Sequence, residues 1–375
     1  MTKLSQEIIK ETLEAYRAAG FVKSNAARNL GIPINTFKAR LETASRSEWA
    51  EHGNDIVPEG QKLRGLSTLY NNRGEAIAQW IKTSADDERQ RQLIQQAIES
   101  LKSEIKPASP VKFKGNADSD LCSVYVITDY HMGMMASAKE SGETWTTQKS
   151  VDFLVNWFSH ALEKAPDSDT AVLCQLGDFL HFDGLDAVTP AHKNLLDTDT
   201  RYCELVNIAI VALRQIIEMM LKKHKHVHII MAEGNHDMAS SVWLRGLFAE
   251  KYRNESRVFV DNSHLPFYAF EWGNTMLGFH HGHKAKVEEI SKIMTGMYRE
   301  IYGRTKYAYT HQGHQHHAKL QEDNLMIVEQ HPTIAPKDAY SARLGHRANR
   351  GASVITYSKL HGEVERFTVR PEMVK

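Results

Sequence analysis

Val227-His228-Ile229-Ile230-Met231-Ala232-Glu233-Gly234-Asn235-His236-Asp237 is a short apolar run with β-branched residues that ends in a polar cluster. An apolar run of this length reads as a buried strand. The cluster then falls in the turn leaving that strand, and 240–252 is predicted to be the helix that follows. Four more segments repeat the pattern in order: Asp129-Tyr130-His131 after 123–127, Gly177-Asp178 after 171–176, His281-Gly282-His283 after 275–279, and Gly313-His314-Gln315-His316 after the more polar 307–310. Aspartate, asparagine and histidine supply the oxygen and nitrogen donors that suit borderline-to-hard divalent cations. Glycine beside each donor lets the backbone turn sharply and approach the site closely. Two adjacent cations are a recurring device for in-line attack on phosphate esters.

Helices are predicted at 152–163 and 204–223 as well as 240–252, each after a strand that ends at 128, 176 or 232. This is a βαβ series with its polar turns at the carboxyl ends of strands, where open α/β sheets build their sites. After 257 the pattern turns strand-rich, with strands expected at 257–261, 267–271, 275–279, 325–329, 353–358 and 364–369. The natural architecture is α/β (α+β): two packed mixed sheets flanked by helices, over residues 119–375.

Ahead of it, residues 1–46 read as a small all-α unit. A helix at 4–19 ends at Gly20, a second at 25–30 is capped by Ser24 and closed by Gly31, and a third opens at Asn35 or Thr36 and runs to about 44. Two helices joined by a tight glycine turn form the helix-turn-helix pattern. Lys3, Lys10, Arg17, Lys23, Arg28, Lys38, Arg40 and Arg46 outnumber Glu7, Glu11, Glu14 and Glu42 in this stretch. Residues 47–118 read as a connecting region. It holds a hairpin (62–70 and 75–82 around Asn71-Asn72-Arg73-Gly74), a polar helix at 85–105 and a linker.

The net charge is zero, so a generally basic nucleic-acid coat is excluded and any such affinity must be local. Apolar and charged fractions of 42% and 25% describe an ordinary globular chain, so no disorder-dominated reading is needed. Cys122, Cys174 and Cys203 form no C-x-x-C pair and read as free thiols in a reducing compartment. The apolar stretch 205–221 is broken by Asn207, Arg214 and Glu218, which makes it an amphipathic helix and not a membrane span. A cytoplasmic location without membrane contact is expected.

The order D-x-H, G-D, G-N-H-D, H-G-H, G-H-x-H resembles the calcineurin-like metallophosphoesterases over roughly 121–332. That resemblance implies a four-layer fold and two divalent metal ions, Mn²⁺ by expectation with Fe, Zn or Mg as alternatives. It assigns Asp129, His131 and His316 to one metal and Asn235, His281 and His314 to the other, with Asp178 bridging. His281 is preferred over His280 because the family's ligand directly precedes a glycine. His283 is read as a substrate contact, and His311, His317 and His331 as supporting or exposed residues. His236 would be catalytic, donating to the leaving oxygen, with Asp237 orienting its imidazole. The nucleophile would be a metal-bound hydroxide.

His181, three places after Asp178, resembles the histidine that positions DNA in the nuclease subunit of double-strand-break repair complexes. The arginine that follows the G-D of phosphoprotein phosphatases is absent. The segment 25–41 resembles the helix-turn-helix of Fis-type domains. There Leu30, Ile32, Phe37 and Leu41 would form the core, and Asn35, Thr36, Lys38 and Arg40 would face DNA. Arg343, Arg347 and Arg350 are further candidates to guide a phosphate backbone. The whole layout is similar to phage or prophage metallophosphoesterases. The leading expectation is a two-metal phosphodiesterase acting on DNA, as exonuclease or endonuclease, with DNA as partner and a homodimer left open. The alternatives are a phosphatase or small-nucleotide phosphodiesterase, and a DNA-binding protein with a mainly structural phosphoesterase domain.

Overall fold

The computed structural model describes residues 5–20, 22–53, 61–70, 76–85, 107–114, 116–338, 342, 345 and 349–374. Of the predicted helix at 85–105, Ala85 belongs to a strand instead, and the rest, like the 71–74 turn, Arg343 and Arg347, lies outside the described residues. The chain forms two compact units, 1–100 and 101–375.

In the first unit, α1 (Gln6–Ala18), α2 (Lys23–Asn29) and α3 (Ile34–Gly53) pack on one another. Ala26, Ala27, Phe37 and Leu41 are buried at the centre, with Leu30 and Ile32 against them. The small side chain of Ala27 lets the helices approach closely. Gly31 turns the chain at φ 64°, a conformation that costs glycine little. Two expectations need correction. The N-cap of α2 is Val22, which offers no side-chain acceptor, so Ser24 lies inside the helix. The third helix continues past 44 to Gly53. Strands β1 (Gln61–Tyr70) and β2 (Ala76–Ala85) pair as the expected antiparallel hairpin.

The second unit has two sheets. One has the order β13-β12-β3-β4-β5-β6, built from β3 (Asp118–Ile127), β4 (Ser168–Gln175), β5 (His226–Met231), β6 (Val258–Val260), β12 (Ala352–Ser358) and β13 (Gly362–Val369). Strands β3 to β6 run parallel, and β12 joins β3 antiparallel. The other sheet has the order β10-β11-β9-β8-β7: β7 (Phe267–Trp272), β8 (Thr275–His280), β9 (Tyr307–Gln312), β10 (Lys319–Glu322) and β11 (Ile327–Gln330).

Side chains alternate between the two faces of β3, as strand geometry requires. Val124 and Val126 join Val172, Cys174, Ile230, Leu277 and Phe279 between the sheets. Tyr125 and Ile127 face the other way, toward the helices Thr147–Lys164, Tyr202–Lys223 and Met238–Lys251. On the far side of the second sheet, Ile290 and Met294 of the helix Val287–Met297 pack on Met276 and Val328. The result is the expected four-layer arrangement, helix on sheet on sheet on helix. The stretch 205–221 is amphipathic, as read, and no described helix is long and apolar enough to cross a membrane. All three cysteines are free, and Cys122 and Cys174 are buried.

Candidate metal centre

Strands β3, β4 and β5 end at Ile127, Gln175 and Met231, and β8 and β9 end at His280 and Gln312. Parallel strands release their chains at one edge, so the turns beyond these points converge. Asp129, Asp178, His281 and His314 bring one donor atom each within 4.8 Å of one another, and so do Asp129, His131 and His316. All the residues expected to ligate therefore meet here, with Asn235 Oδ1 3.2 Å from His281 Nε2.

The turns are strained. Asp129 (φ 49°), His131 (49°), Asp178 (51°), His314 (74°) and His316 (56°) all hold left-handed backbone, and Lys193 is the one other described non-glycine residue that does. Each such residue costs on the order of 1–3 kcal/mol and persists where its surroundings enforce it. Glycine makes the crowding tolerable at two points: a Cβ on Gly234 would overlap the Asp178 carboxylate, and one on Gly313 would overlap Thr128 and Asp129.

The donors are oriented for something between them. Thr128 Oγ1 and the His314 amide donate to Asp129 Oδ2 at 2.6 and 2.8 Å. Asp129 Oδ1 is fully buried and accepts no well-directed hydrogen bond, although His316 Nε2 lies 3.2 Å and His281 Nε2 4.0 Å away. His281 Nδ1 is 2.8 Å from the Leu176 carbonyl. It must donate there, which leaves Nε2 pointing inward and available to a cation. That atom is 3.2 Å from Asp178 Oδ2, while Asp178 Oδ1 accepts from the His236 amide at 2.7 Å. A buried orphan oxygen facing imidazole nitrogens is what a carboxylate and histidine cation site presents, so the residues fit divalent metal.

Burial opposes the charged forms, yet the charges here support one another. Burial would lower His281, but Asp178 and Asp129 raise it to about 9. The reciprocal attraction of His281 holds Asp178 well below the carboxylate range despite its burial. His131 is pushed well below 6.5 by burial and by His236, and His181 down to about 3 by the same two causes.

Around this cluster sit His181 and His236. Their rings stack at 5.9 Å, His236 lies 4.7 Å from the His131 ring, and His181 Nδ1 is 3.4 Å from His131 Nδ1. His236 Nδ1 is 2.9 Å from the His181 carbonyl, so that carbonyl orients the imidazole. The expected partner Asp237 is otherwise engaged. Its two oxygens accept from the amides of Asp178, Phe179, Leu180 and Gly234 at 3.2, 2.7, 3.1 and 3.0 Å. Four amide donors pull this carboxylate onto the backbone beneath Asp178, away from a ring that already has an acceptor. Asp237 therefore shapes the turn that carries Asp178.

Asp129 is common to the two donor groups above, and Asp178 is grouped with His281 and His314 beside it. Sequence reasoning also missed Thr128, and Asp183, which caps the helix after Asp237 by accepting from Ala239 and Ser240 at 2.7 and 2.8 Å. The latter signal was present, as an aspartate five places after Asp178 with no role assigned. His283, with both ring nitrogens unpartnered, lies 5.3 Å from His281. His317 is exposed, while His311 and His331 are buried and bonded to each other. Arg350 is no free phosphate guide: it donates to the Ile334 carbonyl at 2.9 Å and pairs with Glu143. In the helical unit, Asn35, Thr36 and Lys38 are exposed and Arg40 is half-buried.

The model of the calcineurin-like phosphoesterase family matches residues 122–357. No curated protein matches the chain. Among solved structures, a conserved predicted phosphoesterase from Streptococcus pneumoniae TIGR4 is 11% identical, covers 67% of this chain and 100% of its own, and has a TM-score of 0.29. Zinc-bound Vps29 from Entamoeba histolytica is 11% identical over 66% and 99% of the two chains, with a TM-score of 0.30. An archaeal phosphodiesterase is 10% identical over 66% and 99%, with a TM-score of 0.33. The family is one of metal-dependent hydrolases of phosphate esters. Because its model spans well over half of the sequence and takes in every turn from Asp129 to His316, the chain belongs to the calcineurin-like phosphoesterase family.

Proposed function

We propose that the protein is a two-metal phosphodiesterase that acts on DNA. The observation that carries this reading is the pair of imidazoles, His181 and His236, stacked beside the donor cluster, with no arginine among them in the described residues. Asp129, His131 and His316 would hold one cation, and Asn235, His281 and His314 the other, with Asp178 between them. When bound, divalent metals supply Lewis-acid charge that activates water and offsets phosphate charge. The chain's own residues do the rest. His236 spends Nδ1–H on the His181 carbonyl, so in its protonated form Nε2–H is free for the leaving oxygen. His181 contacts the phosphodiester on the same side and helps orient it for attack.

DNA is the substrate class favoured by the helical unit. Asn35, Thr36 and Lys38 stand exposed at the start of the helix that follows the Gly31 turn, with Arg40 half-exposed one turn on. These are side-chain types that reach phosphates and base edges. Residues 1–46 would direct the enzyme to DNA, 47–118 would connect, and 119–375 would cleave.

The experiment is duplex binding over a salt series. The variant Lys38→Ala/Arg40→Ala is expected to bind more weakly, with a log–log salt slope reduced by about one per lost phosphate contact. Its cleavage of a small chromogenic phosphodiester should be unchanged. Equal affinity and slope would assign the helical unit another task and favour a small-nucleotide substrate.

Metal binding should also be pH-dependent. Metal-free His281 keeps its proton up to about 9, and a ligand must give that proton up. Mn²⁺ affinity is therefore expected to rise about tenfold per unit from about pH 7 toward about pH 9, with proton release measurable by calorimetry in two buffers. A flat affinity across that window would remove His281 from the ligand set.

A further inference from the structure

Behind the metal centre runs Glu329-Gln330-His331-Pro332-Thr333, a stretch outside all five motifs that leaves the end of β11. Three of its residues are buried and each reaches the back of a donor-bearing turn. Thr333 Oγ1 donates to the carbonyl of Asp129 at 2.8 Å. The His331 amide donates to the carbonyl of Gln312 at 2.8 Å, at the last residue before the Gly313–His316 turn. Gln330 Nε2 donates to the carbonyl of His317 at 2.9 Å, at the residue just after that turn.

The side chain of His331 anchors the stretch itself. His331 Nε2 lies 2.9 Å from His311 Nδ1, and His311 Nε2 lies 2.9 Å from Tyr357 Oη on the other sheet. At the far end His331 Nδ1 faces Glu329 at 3.8 Å, and Glu329 is gripped by Arg366 at 2.7 and 2.9 Å. At 3.8 Å Glu329 acts on His331 as a nearby charge, while the two 2.9 Å bonds link His331, His311 and Tyr357 into one row. His311, Glu329 and His331 also have the composition of a metal site. Three of their four ring nitrogens are hydrogen-bonded within this row, which argues for a brace and not a third cation.

The structure assigns residues 330, 331 and 333 a positioning role: they clamp the Asp129 turn and the His314–His316 turn to one rigid strand end and so set the spacing of the donors. Asp129, His314 and His316 all hold left-handed backbone, and such turns keep their shape only under outside restraint. This inference rests on the metal-centre reading above.

The test uses the full chain with Thr333→Val, Gln330→Leu and the conservative Thr333→Ser. Mn²⁺ binding is measured by the EPR signal of free Mn²⁺, well below the melting temperature of each metal-free protein. Thr333→Val and Gln330→Leu are each expected to weaken Mn²⁺ binding by about 10- to 100-fold, as supporting residues of metal ligands do. Thr333→Ser, which keeps the hydroxyl, should stay near wild type. Affinities in both disruptive variants equal to wild type would overturn the inference, and so would equal losses in Thr333→Val and Thr333→Ser. Should Thr333→Val fail to fold, Gln330→Leu decides alone, because its bond lies at the edge of the turn. Failure of the wild-type protein to bind Mn²⁺ would strike the metal-centre reading itself, a distinguishable result.

Discussion

Asp178→Asn is expected to lose most bound metal and phosphodiester cleavage together. The carboxylate lies 3.2 Å from His281 Nε2 and takes the His236 amide on its other oxygen. It thus joins the donor cluster to the turn that carries His236. An amide keeps the size but removes the charge that would offset two cations and that raises the pKa of His281 in the metal-free protein. The loss should exceed the roughly 10–100-fold cost of removing a residue that merely supports a ligand. Metal content by elemental analysis and turnover of a phosphodiester under saturating Mn²⁺ read it out. A variant that keeps two metals per chain and near-normal turnover would remove Asp178 from the centre. Asp129→Asn should be similarly severe, because Asp129 belongs to both donor sets.

His236→Ala is expected to keep its metals and slow cleavage by about 10²- to 10⁴-fold, the scale of a lost general acid. The two neighbours Asn235 and His236 diverge: Asn235 Oδ1 turns to His281, while His236 turns to the His181 carbonyl and the His131 ring. A substrate with a good leaving group needs little protonation, so the defect should shrink on an activated aryl phosphodiester and stand fully on DNA. Equal defects on both substrates would give His236 a binding role in place of proton donation.

Most of the donor set was legible in the sequence because the fold makes it local. Each donor follows its strand within a few residues, and the carboxyl ends of parallel strands share one edge, so the segments read as one cluster, and the family resemblance implied that Asp129, Asp178, Asn235, His281 and His314 ligate. What escaped is held by contacts between distant residues. Asp237 was paired with its neighbour His236, but its oxygens go to amides at 178–180, brought close only by the pairing of β4 with β5. Thr333 reaches Asp129 from beyond β11 in the other sheet, and nothing near Thr333 in the sequence points there. The helix Val287–Met297 is a different failure: Val287, Ile290 and Met294 recur at helical spacing, but the strand-rich text around them masked the signal. The third helix of the first unit was cut short although its stop signal, Gly53, stands in the sequence nine residues beyond 44.

The most direct test of the account is anomalous scattering from crystals of the full chain grown with Mn²⁺. Two peaks are predicted roughly 3.5–4 Å apart, the separation of paired catalytic cations. One should lie within reach of Asp129, His131 and His316, the other within reach of Asn235, His281 and His314, with Asp178 touching both. A single peak at saturating Mn²⁺, or a pair held by other residues, would contradict it.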